Sequence, residues 1–138
     1  MYSIVMSNFQ EKSIQSLESA KVLVKCHYYS STVNRSYYAC FQFVMHILFD
    51  KLKKDQREFY AEVQQRPNGS HSWASKLIGI ELAKKSLEDY KWLQGKFPEF
   101  REKRIVADYH PIALSADDGN DSITLATTIL NLLRKHFK

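Results

Sequence analysis

The sequence predicts an all-α fold, an up-and-down helical bundle of four long helices plus a shorter one, organised as a single domain over residues 1–138. Three observations point there. Apolar residues recur at helical spacing in several long segments, no alternating apolar run is long enough for a sheet, and only 4 Gly and 3 Pro interrupt the 138 residues. A chain of this length buries roughly two thirds of the surface its unfolded form exposes, enough for one core without a metal or a disulfide.

Ser7, with Gln10 three residues on, has the form of a capping box, and Ile14, Leu17, Ala20 and Val24 follow at helical spacing, so a first helix is expected from Asn8 to Lys25. "CHYYSS" breaks it and offers Ser30 or Ser31 as the next N-cap. Val33, Tyr37, Cys40, Phe41, Val44 and Leu48 then form the clearest apolar face in the chain, which makes the second helix the central one. The charge-dense stretch after Phe49 reads as a solvated helical extension or a mobile loop, and it is broken at Pro67, Asn68 and Gly69. A third helix is expected from Ser70 or Ser72, with Trp73, Leu77, Ile78 and Leu82 on one face. A fourth runs from Ser86, kinked or restarted at Pro98, and ends where Pro111 steers His110 out of the α region. "PIALSADDGNDS" reads as a loop, with Asp121 or Ser122 capping a last helix that carries Leu125, Ile129, Leu132 and Leu133.

Lys and Arg number 20 against 15 Asp and Glu, a formal +5, so the surface field favours polyanions. Cys26 and Cys40 are too few and too isolated for a disulfide framework or a zinc site and read as reduced thiols. "MYSIVM" lacks the basic start of a secretory signal. The longest apolar stretch, Tyr37 to Phe49, contains Gln42 and His46 and falls short of the about 20 residues a membrane span needs. A cytoplasmic protein with no membrane segment, no metal and no cofactor is the expectation. For His27, His46 and His136 no function is assigned, and His71 reads as a capping or loop histidine.

With the helices placed, "YYSSTVNRSYYACF" (Tyr28 to Phe41), "GSHSW" (Gly69 to Trp73) and "REKRIVADYH" (Arg101 to His110) resemble, in that order, landmarks of the HEPN domain family, and more narrowly its small stand-alone prokaryotic branch. The resemblance spans about Ser13 to His110. It implies a bundle that commonly forms a homodimer and, in many members, a metal-independent ribonuclease whose signature is an Arg followed after four to six residues by a His. Such proteins are often toxins or defence factors, or partners of a nucleotidyltransferase-type antitoxin. Here the signature falls on Arg104 and His110.

Metal-free RNA cleavage needs a base for the 2′-hydroxyl proton, an acid for the leaving 5′-oxygen and cations for the phosphorane charge. On this reading His110 transfers the proton, Arg104 clamps phosphate, Tyr109 is an auxiliary donor, and the product is a 2′,3′-cyclic phosphate. Residues six apart on an ideal helix point about 120° from one another, so Arg104 and His110 converge only if the helix ends first or if two protomers share one cleft. Ile105 stands where active family members tend to have a polar residue, and "RPNGSH" supplies a second Arg-to-His match, Arg66 to His71. The structural alternative pairs Arg104 with Asp108 at i+4, and the matching functional alternative is an inactive module that engages a nucleotidyltransferase or a nucleotide.

Asn34, Arg35 and Tyr38 lie off the apolar face of the second helix and need partners if buried. Asn34 or Arg35 is expected to meet Asp108 or the carbonyls at the end of the fourth helix, tying "NRSYY" to "ADY", so that Arg35→Ala would lower the melting temperature sharply.

Overall fold

A helix with apolar residues on every side can only be an axis, and α2 (Tyr29–His46) is that element. Its predicted face, Val33, Tyr37, Cys40, Phe41, Val44 and Leu48, is buried throughout, and so are Ala39, Phe43 and Met45 on its other sides. The computed structural model describes residues 7–138, and the "MYSIVM" reading concerns residues outside that range. Among the described residues the chain is all-helical, and no helix is long and apolar enough to cross a membrane. α1 (Phe9–Lys25), α4 (Gly69–Lys85), α5 (Leu87–Tyr109) and α6 (Ala116–His136) pack around α2. A short α3 (Gln56–Gln64) lies against α4.

The predicted capping box at Ser7 does not form. Asn8 is the N-cap and makes no side-chain cap bond, while Ser7 gives its N–H and its hydroxyl to Asp50 at 2.9 and 2.7 Å. A buried carboxylate is the more demanding acceptor. Burial opposes the Asp50 charge, but the two Ser7 hydrogen bonds and His46 Nδ1 at 2.8 Å outweigh it and hold the carboxyl below its usual range. Asp50 lies in a π-helical turn, Ile47–Lys51, that extends α2. The expected face of α1 is met in part: Ala20 is buried and Leu17 packs against the core. Ile14 is exposed, and Ser13 and Ser16 face α2, bonded to the Ala39 carbonyl and the Gln42 amide at 2.6 Å each.

α1 ends on two backbone bonds, Tyr28 N–H to Leu23 O and His27 N–H to Val24 O, with His27 at φ 65° in the left-handed region usually given to glycine. This cap turns the chain so tightly that α2 starts at Tyr29, ahead of the expected Ser30 or Ser31. α3 resolves the open reading of the charged stretch. Asp55 caps it by accepting from Glu58 N–H at 2.8 Å, and Phe59 is fully buried.

α4 begins at Gly69, just before the expected Ser70. α5 is capped by Ser86 as predicted and runs through Pro98 with no second start. It ends at Tyr109, with His110 extended at φ −95°, ψ 144°. α6 is capped at Ser115, six residues before Asp121 and seven before Ser122, the expected caps, because Ser115 and Asp118 form the capping box that the acidic, Gly-containing text concealed. Its small residues Gly119, Ser122 and Ala126 lie at i, i+3 and i+7 and let it approach α2 closely, with the Ser122 hydroxyl 3.3 Å from that of Ser36.

Candidate functional site

Asp108 is the last residue but one of α5, opposite the first turns of α2. The Asn34 amide nitrogen meets both of its carboxylate oxygens, at 3.1 and 3.0 Å, so the predicted clasp between "NRSYY" and "ADY" is made by Asn34. Arg35 reaches it only indirectly, donating from Nε to Asn34 Oδ1 at 2.8 Å with its guanidinium 5.2 Å from the Tyr38 ring centre. A cleft of about 530 Å³ opens here, lined by Ser30, Ser31, Asn34, Arg35, Ala107 and Asp108.

Arg104, one turn before Asp108, is only 8% exposed and takes the i+4 pairing, with Nη1 3.4 Å from Asp108 Oδ2. Its guanidinium lies 5.4 Å from the ring centres of both Tyr37 and Tyr38, where the rings' electron-rich faces stabilise the cation. Its Nε is buried with no hydrogen-bond partner, and so is the Nε of Arg101 one turn earlier. Arg101, Arg104 and Asp108 thus stand at i, i+3 and i+7 on one face of α5.

Tyr37 turns the same cluster toward α4. Its hydroxyl is 2.8 Å from His71 Nδ1, and the imidazole stacks on Phe41 with ring centres 4.0 Å apart. Burial, with Arg101 and Arg104 adding to it, pushes the His71 pKa down to about 4, so the ring is neutral near pH 7. Burial raises the Tyr37 phenol well above its usual value against the pull of the same two arginines, so it keeps its proton. The phenol therefore donates to Nδ1, and the His71 ring proton resides on Nε2.

His71 and Arg101 are the members of this cluster that sequence reasoning missed. The helical spacing of Arg101 from Arg104 was the available signal for the second. For His71 the text held "GSHSW" but nothing that fixed where the side chain would go. The Arg104 and His110 pair is divided by burial. Arg104 lies inside, whereas His110 is exposed past the helix end and Tyr109 is 75% exposed. Ile105 is half-buried.

The assembled locus carries two guanidinium groups, Arg35 and Arg104, at one carboxylate, Asp108, with a third, Arg101, one turn back along α5 from Arg104. Such an excess favours an anion, and planar guanidinium groups suit phosphate oxygens in particular. Among the described residues no group of three His, Cys, Asp or Glu side chains is arranged to hold a metal ion. No known family model matches the chain, and no curated protein or solved structure is significantly similar to it.

Proposed function

We propose that the chain is a HEPN-type helical domain that engages RNA through its phosphates at the joint of α2 and α5. The observation that carries this reading is the cationic excess just described, in which Arg104 pairs with the single carboxylate Asp108 while Arg101 and Arg104 each keep a buried Nε without a partner among the described residues. The formal net charge of +5 acts in the same direction over longer distances. The burial of Arg104 against Asp108, and the exposure of His110 away from any orienting partner, favour a binding module over a preorganised catalyst.

Cleavage is the second reading, and the end of α5 at Tyr109 favours it, because His110 is released from the helical spacing that would turn it from Arg104. In that reaction His110 takes the 2′-hydroxyl proton and the 2′-oxygen attacks phosphorus. The 5′-oxygen leaves with a proton from Tyr109 or water, giving a 2′,3′-cyclic phosphate and a 5′-hydroxyl. A homodimer and a nucleotidyltransferase partner belong to the same family-based proposal and are checked by sedimentation velocity and co-purification.

Purified protein incubated with total RNA in excess chelator, beside His110→Ala and Arg104→Lys, separates the readings. RNA binding without cleavage is the outcome expected of a module. Cleavage abolished by His110→Ala establishes the nuclease, and cleavage that survives both substitutions moves the site elsewhere. Failure to bind RNA at low salt overturns the proposal in both forms.

A further inference from the structure

A groove of about 670 Å³ runs between α4 and α5, and it is lined in part by Lys76, Gly79, Lys84, Tyr90 and Gln94. At Ser72, Ser75 and Pro98 it meets a cavity of about 100 Å³ that is also lined by Tyr37, His71 and Arg101. We propose that this compound cleft is a receptor for a terminal phosphate monoester, with the phosphate in the small cavity against Arg101 and the remainder of the molecule along the groove. The site uses neither His110 nor the Asp108 clasp but shares Arg101 with the RNA reading above, and a nucleoside monophosphate, which has no internucleotide phosphate, tests it apart from that reading.

Size sorts the two compartments. The smaller compartment, about 100 Å³, is of a size for a tetrahedral oxyanion, and the larger groove has room for the rest of the molecule. Charge sorts the ligand. Among the described residues no acidic side chain lines either compartment, whereas Lys76, Lys84 and Arg101 do, Lys84 while paired with Glu81 at 3.2 Å. The cleft between α5 and α6 is the opposite case, lined by Glu99, Glu102, Asp118 and Asp121. Arg101 Nε is buried without a partner, a cost that an anion would remove.

Donors of the right kind surround it. Ser72 and Ser75 present hydroxyls, and neutral His71 carries its ring proton on Nε2 because Tyr37 occupies Nδ1. His71 is the third residue of α4, so the cavity lies beside the first turns of that helix, whose N-cap, Asn68, makes no side-chain cap bond. In the groove the Tyr90 ring lies against Gly79, where a Cβ would come within 3.2 Å of it. The missing side chain lets the ring pack down onto α4, and Tyr90 forms an aromatic part of the groove wall.

The test is an NMR titration of the full chain with inorganic phosphate, a nucleoside 5′-monophosphate and the matching nucleoside. A 5′-phosphorylated and a 5′-hydroxyl oligoribonucleotide distinguish a free metabolite from an RNA end as the source of the phosphate. The monophosphate should bind at least tenfold more tightly than inorganic phosphate, and the nucleoside should not compete. Arg101→Gln should weaken monophosphate binding at least tenfold. In the unaltered chain, saturating phosphate should raise the His71 pKa from about 4 by offsetting the arginine field, which keeps the proposal testable if Arg101→Gln fails to fold. Equal binding of nucleoside and monophosphate, unchanged affinity in Arg101→Gln, or a His71 titration indifferent to phosphate would each overturn it.

Discussion

Asn34 turns its amide nitrogen on both oxygens of Asp108 and offers its carbonyl oxygen to Arg35, so three polar side chains from two helices share one joint. Removing the amide leaves the carboxylate with only the long Arg104 contact. Asn34→Ala is therefore expected to lower stability by about 1–2 kcal/mol, the scale of hydrogen bonds to a charged group at a partly exposed site. Arg35→Ala should cost less, because the bonds to Asp108 survive it, and urea unfolding of the two variants reads the order directly. His71 adds a pH dependence. Its folded pKa, about 4, lies below the ordinary value of 6.5, so the unfolded chain binds the proton more readily. The contribution is complete above about pH 6.5 and is lost as pH falls toward 4, by an amount on the order of 1–3 kcal/mol. Unfolding midpoints measured across that window should fall less steeply in His71→Phe than in the original chain.

At the scale of elements, two glycines within helices separate propensity from packing. Gly95 lies on the exposed side of α5 with nothing near its absent Cβ, so Gly95→Ala should stabilise by about 0.5–1 kcal/mol through helix propensity alone. Gly119 sits in α6 where a Cβ would already come within 3.2 Å of Tyr29 and Val24, and Gly119→Leu should destabilise by about 1–3 kcal/mol through overpacking. Thermal unfolding of the pair gives opposite signs if α6 is seated on the α1–α2 corner as described. The same close approach explains why the start of α6 was hard to read. "DDGND" carries turn composition, and its glycine is selected by the neighbour it touches, not by its local backbone.

For the molecule as a whole, charge is the property that reaches furthest. If RNA phosphates contact Arg35, Arg101, Arg104 and at most one further cation, three to four contacts at roughly 0.7 counterions each give a log–log salt dependence of affinity between about −2 and −3. Fluorescence anisotropy over a salt series measures that slope, and a flat response would exclude backbone phosphate contacts. The helices and the buried face of α2 were legible because a 3.6-residue period is a local property, written in Val33, Tyr37, Cys40, Phe41, Val44 and Leu48 themselves. The cationic locus was legible in part, since Asn34 and Asp108 were expected to meet while His71 and Arg101 were not placed there. By itself the sequence determined the helical class, the central helix and the end of α5 before Pro111, where steric restriction acts within a few residues. Only the tertiary structure decided that Ser7 would serve Asp50 and that His71 would lie against Tyr37, because a polar side chain takes its partner from whichever helix the packing brings to it, here 43 and 34 residues away.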